Sequence, residues 1–407
     1  MKKILLITLE YSPQKGGVAS YYAGLVGELE RQGYEVKVIT NTRNPSQPPL
    51  KVRGGELLGW FWPRWLIGYF TVRKAIKKEK PDIVLAGHIL PLGTIAYLLR
   101  KQVPYGVFLH GLDLLRPQKS WRKRKLGQKI LESAKLIIVN SEYTKALVTN
   151  MSDTLKLTIV KNRVPVIVVY PCPNMEAEVK QEEVEALRRK LGLTGKKVLL
   201  TLGRVVERKG HDMVLRAMPE ILQHVPEVVY VVAGGGPNLG RLQKMVGQPS
   251  PQSSPMKGEE GKQFPSPLVG EGSRRPGEGL QPYVRFVGVV PAEERPAYYA
   301  LCDLFVMPSR QIKTDVEGFG LAFLEAAVFG KPSVGGASGG QGEAILDGKT
   351  GALVDPSDPS ALARIAVQLL RNDALRAELG QNAKARAMYE FRWEKQIEKF
   401  INALSSP

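Results

Sequence analysis

Two doubly wound α/β units are what this sequence predicts, on three observations. Short apolar runs alternate with amphipathic helical segments, the alternation stops near residue 171 and restarts near residue 197, and 407 residues exceed what one ordinary core organises. The first-half runs are KILLIT (3–8), EVKVIT (35–40), DIVLA (82–86), YGVFL (105–109), KLIIV (135–139) and VIVVY (166–170). Between the first two, Val18, Tyr22, Leu25 and Leu29 recur at helical spacing and Gly33 supplies a stop. Strand, helix and strand repeated in this way mean a parallel sheet covered on both faces.

After the Pro-rich PCPN (171–174) and a charged helical stretch (180–190), the pattern resumes with KVLLTLG (197–203), VVYVVAG (228–234), VRFVG (284–288), DLFVM (303–307) and PSVGG (332–336). WEKQIEKFINAL (393–404) predicts a last helix. Residues 248–281 break the pattern: Pro, Gly, Ser and charge dominate, and too little apolar surface is available to offset ordering entropy. SPMKGEEG (254–261) and SPLVGEG (266–272) read as degenerate copies of one unit, so a repeat-derived mobile insertion is expected, with a functional lid as the sharper alternative.

Composition narrows the class. Hydrophobic residues make up 43% and charged residues 24%, ordinary for a globular chain with a sizeable core. Cys172 and Cys302 are the only cysteines, which leaves no disulfide framework and no zinc spacing, and fits a cytoplasmic location. The start, MKKILLITLEYSP, has only about six apolar-rich residues before Glu10, too few for a signal-peptide core, and reads as the first strand. No run approaches the roughly 18 to 20 apolar residues that span a bilayer. The net charge of +19 is lopsided: residues 1–180 carry 29 Lys and Arg against 13 Asp and Glu, while residues 181–407 are only +3. Such a basic half attracts nucleic acid, anionic lipid or a phosphorylated substrate, or is a solvated surface without a specific partner.

Within it, GWFWPRWLIGYF (59–70) gathers Trp60, Phe61, Trp62, Trp65, Tyr69 and Phe70 just before Arg73, Lys74, Lys77, Lys78 and Lys80, and WRKRK (121–125) adds a second cluster. Aromatics beside cations suit an interfacial helix at an anionic membrane. The same residues also suit a helix packed on the sheet by Trp62, Trp65 and Tyr69 with solvated lysines.

Several segments carry chemistry. EGFGLAFLE places Glu317 and Glu325 eight residues apart with Gly318 and Gly320 opening an apolar helix. Along a helix that separation is about 12 Å, whereas the carboxylates of a retaining glycosidase pair lie about 5 Å apart. The two glutamates suit opposite ends of an elongated ligand, with helix N–H groups between them for phosphate; an amphipathic helix with two exposed glutamates fits the spacing as well. LGRVVERKG (202–210) sets Arg204 and Lys209 at the carboxyl end of a strand, within reach of a diphosphate, or on a basic surface loop. No DxD spacing is present, so fixed cations are expected in place of a metal. Gly16 and Gly17 open the first long helix and give backbone access to an anion. His110, in HGLD (110–113), follows a strand, and SGGQGE (338–343) adds a glycine-rich turn near Glu343.

In this order the segments resemble the family-four retaining glycosyltransferases: YSPQKGGVASYY (11–22), HGLD, VNSEYTK (139–145), LGRVVERKGHDMVLRAMP (202–219), VVAGGGP (231–237), RFVGVVP (285–291), the E-x7-E of 317–325 and GKTGALVDPSD (348–358), nearly the whole chain apart from 248–281. The resemblance implies a GT-B fold, two Rossmann-like domains facing each other across a cleft: 1–172 with a crossover helix at 388–407 on the acceptor side, and 173–387 for the nucleotide sugar. It implies a hexose donor such as GDP-mannose or a UDP-sugar, a glycan, lipid or small-molecule hydroxyl as acceptor, no cofactor and no metal. Arg204 and Lys209 would grip the diphosphate, Glu317 the sugar hydroxyls, Glu325 the ribose and Gly17, beside Gly16, a phosphate. Gly318, Phe319, Gly320 and Leu321 would line the donor site, and His110 would sit beside the transferred sugar. Retention is expected by front-face attack, the leaving phosphate helping to deprotonate the acceptor, with no enzymic base named. SGG (338–340) with the EGFGLAFLE context is somewhat like the lipid-directed mannosyltransferases that use GDP-mannose, and peripheral attachment at the inner membrane face is the expectation of the aromatic and basic segments above. PCPN, where many members have an asparagine-glycine-valine turn, and the long SRQIKTDVEG before Glu317 depart from the pattern and leave acceptor and donor sugar open. Against a nucleic-acid-binding protein stands the lack of zinc spacing, RNP-like strand or patterned Arg helix; against an NAD-dependent oxidoreductase, the lack of a clean GxGxxG after a strand.

Overall fold

The computed structural model describes residues 2–11, 16–40, 57, 65–111, 120–149, 164–175, 178–247 and 279–405. Two compact units emerge: Met1–Asn174 with Lys313–Leu321 and Ala387–Pro407, and Met175–Ile312 with Ala322–Arg386. The short segment Lys313–Leu321, placed in the second domain by the sequence reading, belongs to the first unit.

The first unit holds a six-stranded parallel sheet of β1 (Lys3–Ile7), β2 (Glu35–Ile39), β3 (Ile83–Ala86), β4 (Tyr105–Leu109), β5 (Leu136–Val139) and β6 (Val166–Val168), in the order β2-β1-β3-β4-β5-β6. Side chains alternate across a strand, so Ile4 and Leu6 enter one core while Leu5 and Ile7 enter the other. Two buried faces require uninterrupted apolar strands, which is why these runs stand out in the sequence. Each fully buried Leu, Ile or Val contributes about 1.5–3 kcal/mol.

Helix Gly17–Arg31 covers one face and ends before Gly33, whose φ of +83° supplies the left-handed stop. Helix Trp393–Ser405 returns to this unit and packs on Gly17–Arg31 and β6. PCPN helps to hold it: Asn174 accepts from Trp393 Nε1 at 2.6 Å and donates to the Ser20 carbonyl at 2.5 Å.

The second sheet comprises β7 (Lys197–Leu202), β8 (Val228–Ala233), β9 (Val284–Gly288), β10 (Leu304–Met307), β11 (Ser333–Gly336) and β12 (Gly351–Val354), in the order β12-β11-β10-β7-β8-β9. β12 has no counterpart among the runs read from the sequence. Strand order reverses between β1 and β3 in the first sheet and between β7 and β10 in the second, the positions where open α/β sheets bind ligands beyond the strand carboxyl ends.

Some expectations are corrected or fall outside. The helix after Glu317 starts only at Leu321 and ends at Val328, so a helical rise of eight residues does not apply to the Glu317–Glu325 pair. Gly320 takes φ +98°, which no helix continues through. Trp60, Phe61 and Trp62, and residues 248–278 of the expected insertion, lie outside the described residues. Helix Leu66–Glu79 divides its aromatics: Trp65 and Tyr69 pack on the core, whereas Phe70 is 57% exposed beside the exposed Arg73, Lys74, Lys77 and Lys78. Among the described residues no helix is long and apolar enough to cross a membrane.

Candidate functional site

At the carboxyl end of β4, His110 is held by aromatic side chains. Its Nε2 lies 2.8 Å from the Tyr22 hydroxyl, which also lies 2.8 Å from the Gly87 carbonyl. A carbonyl can only accept, so the phenol hydrogen goes to Gly87 and Nε2 donates to the phenol oxygen, which selects the Nε2–H tautomer. Phe108 lies parallel to the imidazole at 6.4 Å, and Tyr21 and Tyr22 meet it edge-on at 5.4 Å. Burial, then the neighbouring His88, pull its pKa down to about 3, so the ring is uncharged at neutral pH.

Gly318 lies against the same histidine: a Cβ there would sit 2.6 Å from the His110 carbonyl oxygen. Glycine is therefore required by close approach. Phe319, 2% exposed, packs its ring on Tyr170 and Phe391 at 5.4 and 5.6 Å, anchoring the segment through its side chain. Glu317 and Leu321 flank it, both half-buried. Gly16 and the exposed Gly17 open the helix that carries Tyr22. The first unit thus brings His110, Gly318 and Phe319 together around one strand end.

The second unit assembles charged groups instead. Arg204, exposed, and Lys209, half-buried, lie on the turn after β7. Gly210, at φ +73° and against the Pro308 carbonyl, hands the turn over to helix His211–His224. Two contacts brace it. Arg310 donates its backbone N–H to the Arg208 carbonyl at 2.8 Å, and its guanidinium grips Asp212 through two bonds of 2.9 and 2.8 Å. Arg310 follows β10, so both turns beside the strand-order reversal are tied together.

Glu325, on helix Leu321–Val328, is 7% exposed and accepts from the Tyr299 hydroxyl at 2.6 Å. Burial raises its pKa above the usual carboxylate range; the Tyr299 bond, then the charges of Arg295 and Lys209, oppose the rise. Lys209 therefore acts on Glu325 as well as on its own turn. Sequence reading missed Tyr22, Tyr299 and the Asp212–Arg310 pair, because each acts through a partner distant in the chain.

Residues 183–250 and 276–386 match the family model Glycosyl transferases group 1, and residues 15–166 match Glycosyltransferase Family 4. A D-inositol 3-phosphate glycosyltransferase from Nocardioides sp. is 31% identical over 97% of this chain and 87% of its own length. The chain belongs to the family-four glycosyltransferases. A GDP-mannose-dependent alpha-(1-6)-phosphatidylinositol monomannoside mannosyltransferase from Mycolicibacterium smegmatis is 28% identical to the enzyme over 99% of the chain and 98% of its own length. Among solved structures, sucrose-phosphate synthase from Thermosynechococcus elongatus superposes with a TM-score of 0.74 at 21% identity, covering 99% and 98% of the two chains. Anabaena HepE in complex with UDP-glucose gives 0.69 at 20% identity with both chains fully covered. The fold class is GT-B, with two Rossmann-like domains, and the enzyme is a hexosyltransferase acting on nucleotide sugars. Family membership displaces the oxidoreductase reading and that of a binding protein without sugar transfer.

Proposed function

We propose that the enzyme transfers mannose from GDP-mannose to a phosphatidylinositol-type lipid presented at an anionic membrane, with retention and without a metal. The observation that carries the reading is the cation pair Arg204 and Lys209 on the braced turn at the strand-order reversal of the second sheet. As the bond between C1 and the phosphate oxygen breaks, negative charge grows on the diphosphate, and fixed cations stabilise it. The acceptor hydroxyl attacks C1 from the same face and its proton passes to the departing phosphate oxygen. Glu317 accepts from sugar hydroxyls, and Gly318 to Leu321 present backbone to sugar and phosphate, with Gly16 and Gly17 at a second phosphate contact. His110, held uncharged, lies beside the sugar as a neutral hydrogen-bonding group.

The acceptor half draws on the full-length likeness to phosphatidylinositol mannoside mannosyltransferases and on the basic face. Helices Leu66–Glu79 and Trp121–Glu132 both pack on helix Thr94–Leu99, and they expose Phe70 and Trp121, each at 57%, among lysines and arginines. Each such cation near an acidic bilayer is worth about 1 kcal/mol. The Nocardioides relative supports a second reading, in which a water-soluble inositol phosphate is the acceptor.

The test offers GDP-mannose, UDP-glucose and UDP-N-acetylglucosamine in turn, with phosphatidylinositol vesicles or inositol phosphate as acceptor. Mannosylated lipid from GDP-mannose alone is the expected product, with vesicle binding that weakens in salt and in a Lys74→Glu, Lys77→Glu, Lys78→Glu variant. Transfer only from a UDP-sugar overturns the donor assignment. Labelling of inositol phosphate but not lipid favours the second reading.

A further inference from the structure

We infer that Tyr299 is a positioning residue for nucleotide binding, fixing the Glu325 carboxylate so that its free oxygen accepts from the ribose hydroxyls of a nucleoside diphosphate. The inference rests on the reading of Glu325 as the ribose ligand and assigns the group that makes it one.

The Tyr299 ring has little freedom. It is fully buried on helix Arg295–Leu301, lies almost parallel to Phe329 at 6.0 Å and packs on Phe305 of β10 at 5.7 Å. From that cage the hydroxyl reaches Glu325 Oε2 at 2.6 Å, the short distance of a bond to a charged acceptor. Burial, then the carboxylate itself, raise the phenol pKa well above its ordinary value, so Tyr299 stays protonated and can only be the donor. Oε2 is committed, whereas Oε1 makes no hydrogen bond among the described residues. A vicinal diol offers two donors, the chemistry an unengaged carboxylate oxygen takes.

The need for such a partner follows from burial. Removing a carboxylate from water favours its neutral form, and a protonated Glu325 would be a poorer acceptor. Tyr299 and Arg295, both on helix Arg295–Leu301, and Lys209, on the turn after β7, oppose this. Of the three, only Tyr299 is hydrogen-bonded to the carboxylate and so fixes its orientation as well as its charge.

Calorimetric affinities for GDP and 2′,3′-dideoxy-GDP test the inference in the full-length enzyme, with UDP and its dideoxy analogue replacing them if the wild type binds uridine nucleotides instead. The wild type should prefer the ribonucleotide by about tenfold to a hundredfold, the range of a hydrogen bond to a charged group. Tyr299→Phe should reduce that preference several-fold and move the acid limb of GDP affinity to higher pH, because a contribution that favours the charged carboxylate is gone. A merely structural loss would weaken both nucleotides alike. Should the phenylalanine variant fail to fold, 3-fluorotyrosine at 299, a stronger donor in the same shape, should move the limb to lower pH. Full ribose preference in Glu325→Gln would refute the ribose reading itself. Lost preference in Glu325→Gln, with both preference and pH limb unchanged when Tyr299 is altered, would leave that reading standing and overturn the role of Tyr299.

Discussion

The carboxyl ends of the two sheets are alike in architecture and opposite in chemistry. Beyond β4 of the first unit, His110 sits among Tyr21, Tyr22 and Phe108 and is kept uncharged. Beyond β7 and β10 of the second, Arg204, Lys209, Asp212, Arg310 and Glu325 crowd one edge. The same doubly wound layout therefore offers a neutral end and a charged end, and function resides in the side chains grafted onto it. Hydrogen bonding makes the charged end tolerable: Arg310 pairs with Asp212 and Tyr299 donates to Glu325, so buried charge is compensated where it occurs. At the neutral end no such partner is needed, since the imidazole gives up its charge instead.

Removing charge from the charged end should have the largest effect. Arg204→Ala and Lys209→Ala should each lower kcat/KM by the equivalent of about 2–4 kcal/mol, as loss of a preorganised donor to a developing oxyanion does. Steady-state kinetics with saturating acceptor reads this directly, and near-normal turnover in both variants would erase the functional contrast between the two ends. Perturbing the neutral end should matter less. Tyr22→Phe removes two neutral hydrogen bonds, one to the Gly87 carbonyl and one from His110, each worth about 0.5–1.5 kcal/mol; only the second orients the imidazole, so kcat should fall up to about tenfold while GDP affinity stays unchanged. An equal fall in GDP affinity would mean that Tyr22 supports the nucleotide site as well, and the division between the ends would need redrawing.

Much of the framework was legible because burial leaves a trace in composition. Strands covered on both faces must be apolar throughout, so the runs at residues 3–8 and 135–139 announce themselves, and the turn after 197–203 fixes where Arg204 and Lys209 fall. β12 was missed because GALV is four residues long and enclosed by turn-forming GKT and DPSD. The helical spacing assigned to Glu317 and Glu325 failed because Gly318 is pressed against His110 and Gly320 is left-handed, neither of which a periodicity reports. Partnerships were the least visible. Tyr22 could be read as a residue of the buried helix face, but its hydroxyl bonds to Gly87, 65 residues away, and Tyr299 meets Glu325 across a strand and a turn. Such pairs are set by packing between elements, for which local sequence carries no signal.

The strongest claim of the proposed mechanism is that Arg204 and Lys209 take the place of a metal in neutralising the leaving diphosphate. Initial rates of hexose transfer in buffer treated with excess EDTA test it most directly, measured for the wild type and for Lys209→Ala. Wild-type turnover should be unchanged by the chelator, while the variant stays slow with or without added Mg²⁺ or Mn²⁺. Complete loss of wild-type activity in EDTA, restored by a divalent cation, would contradict it.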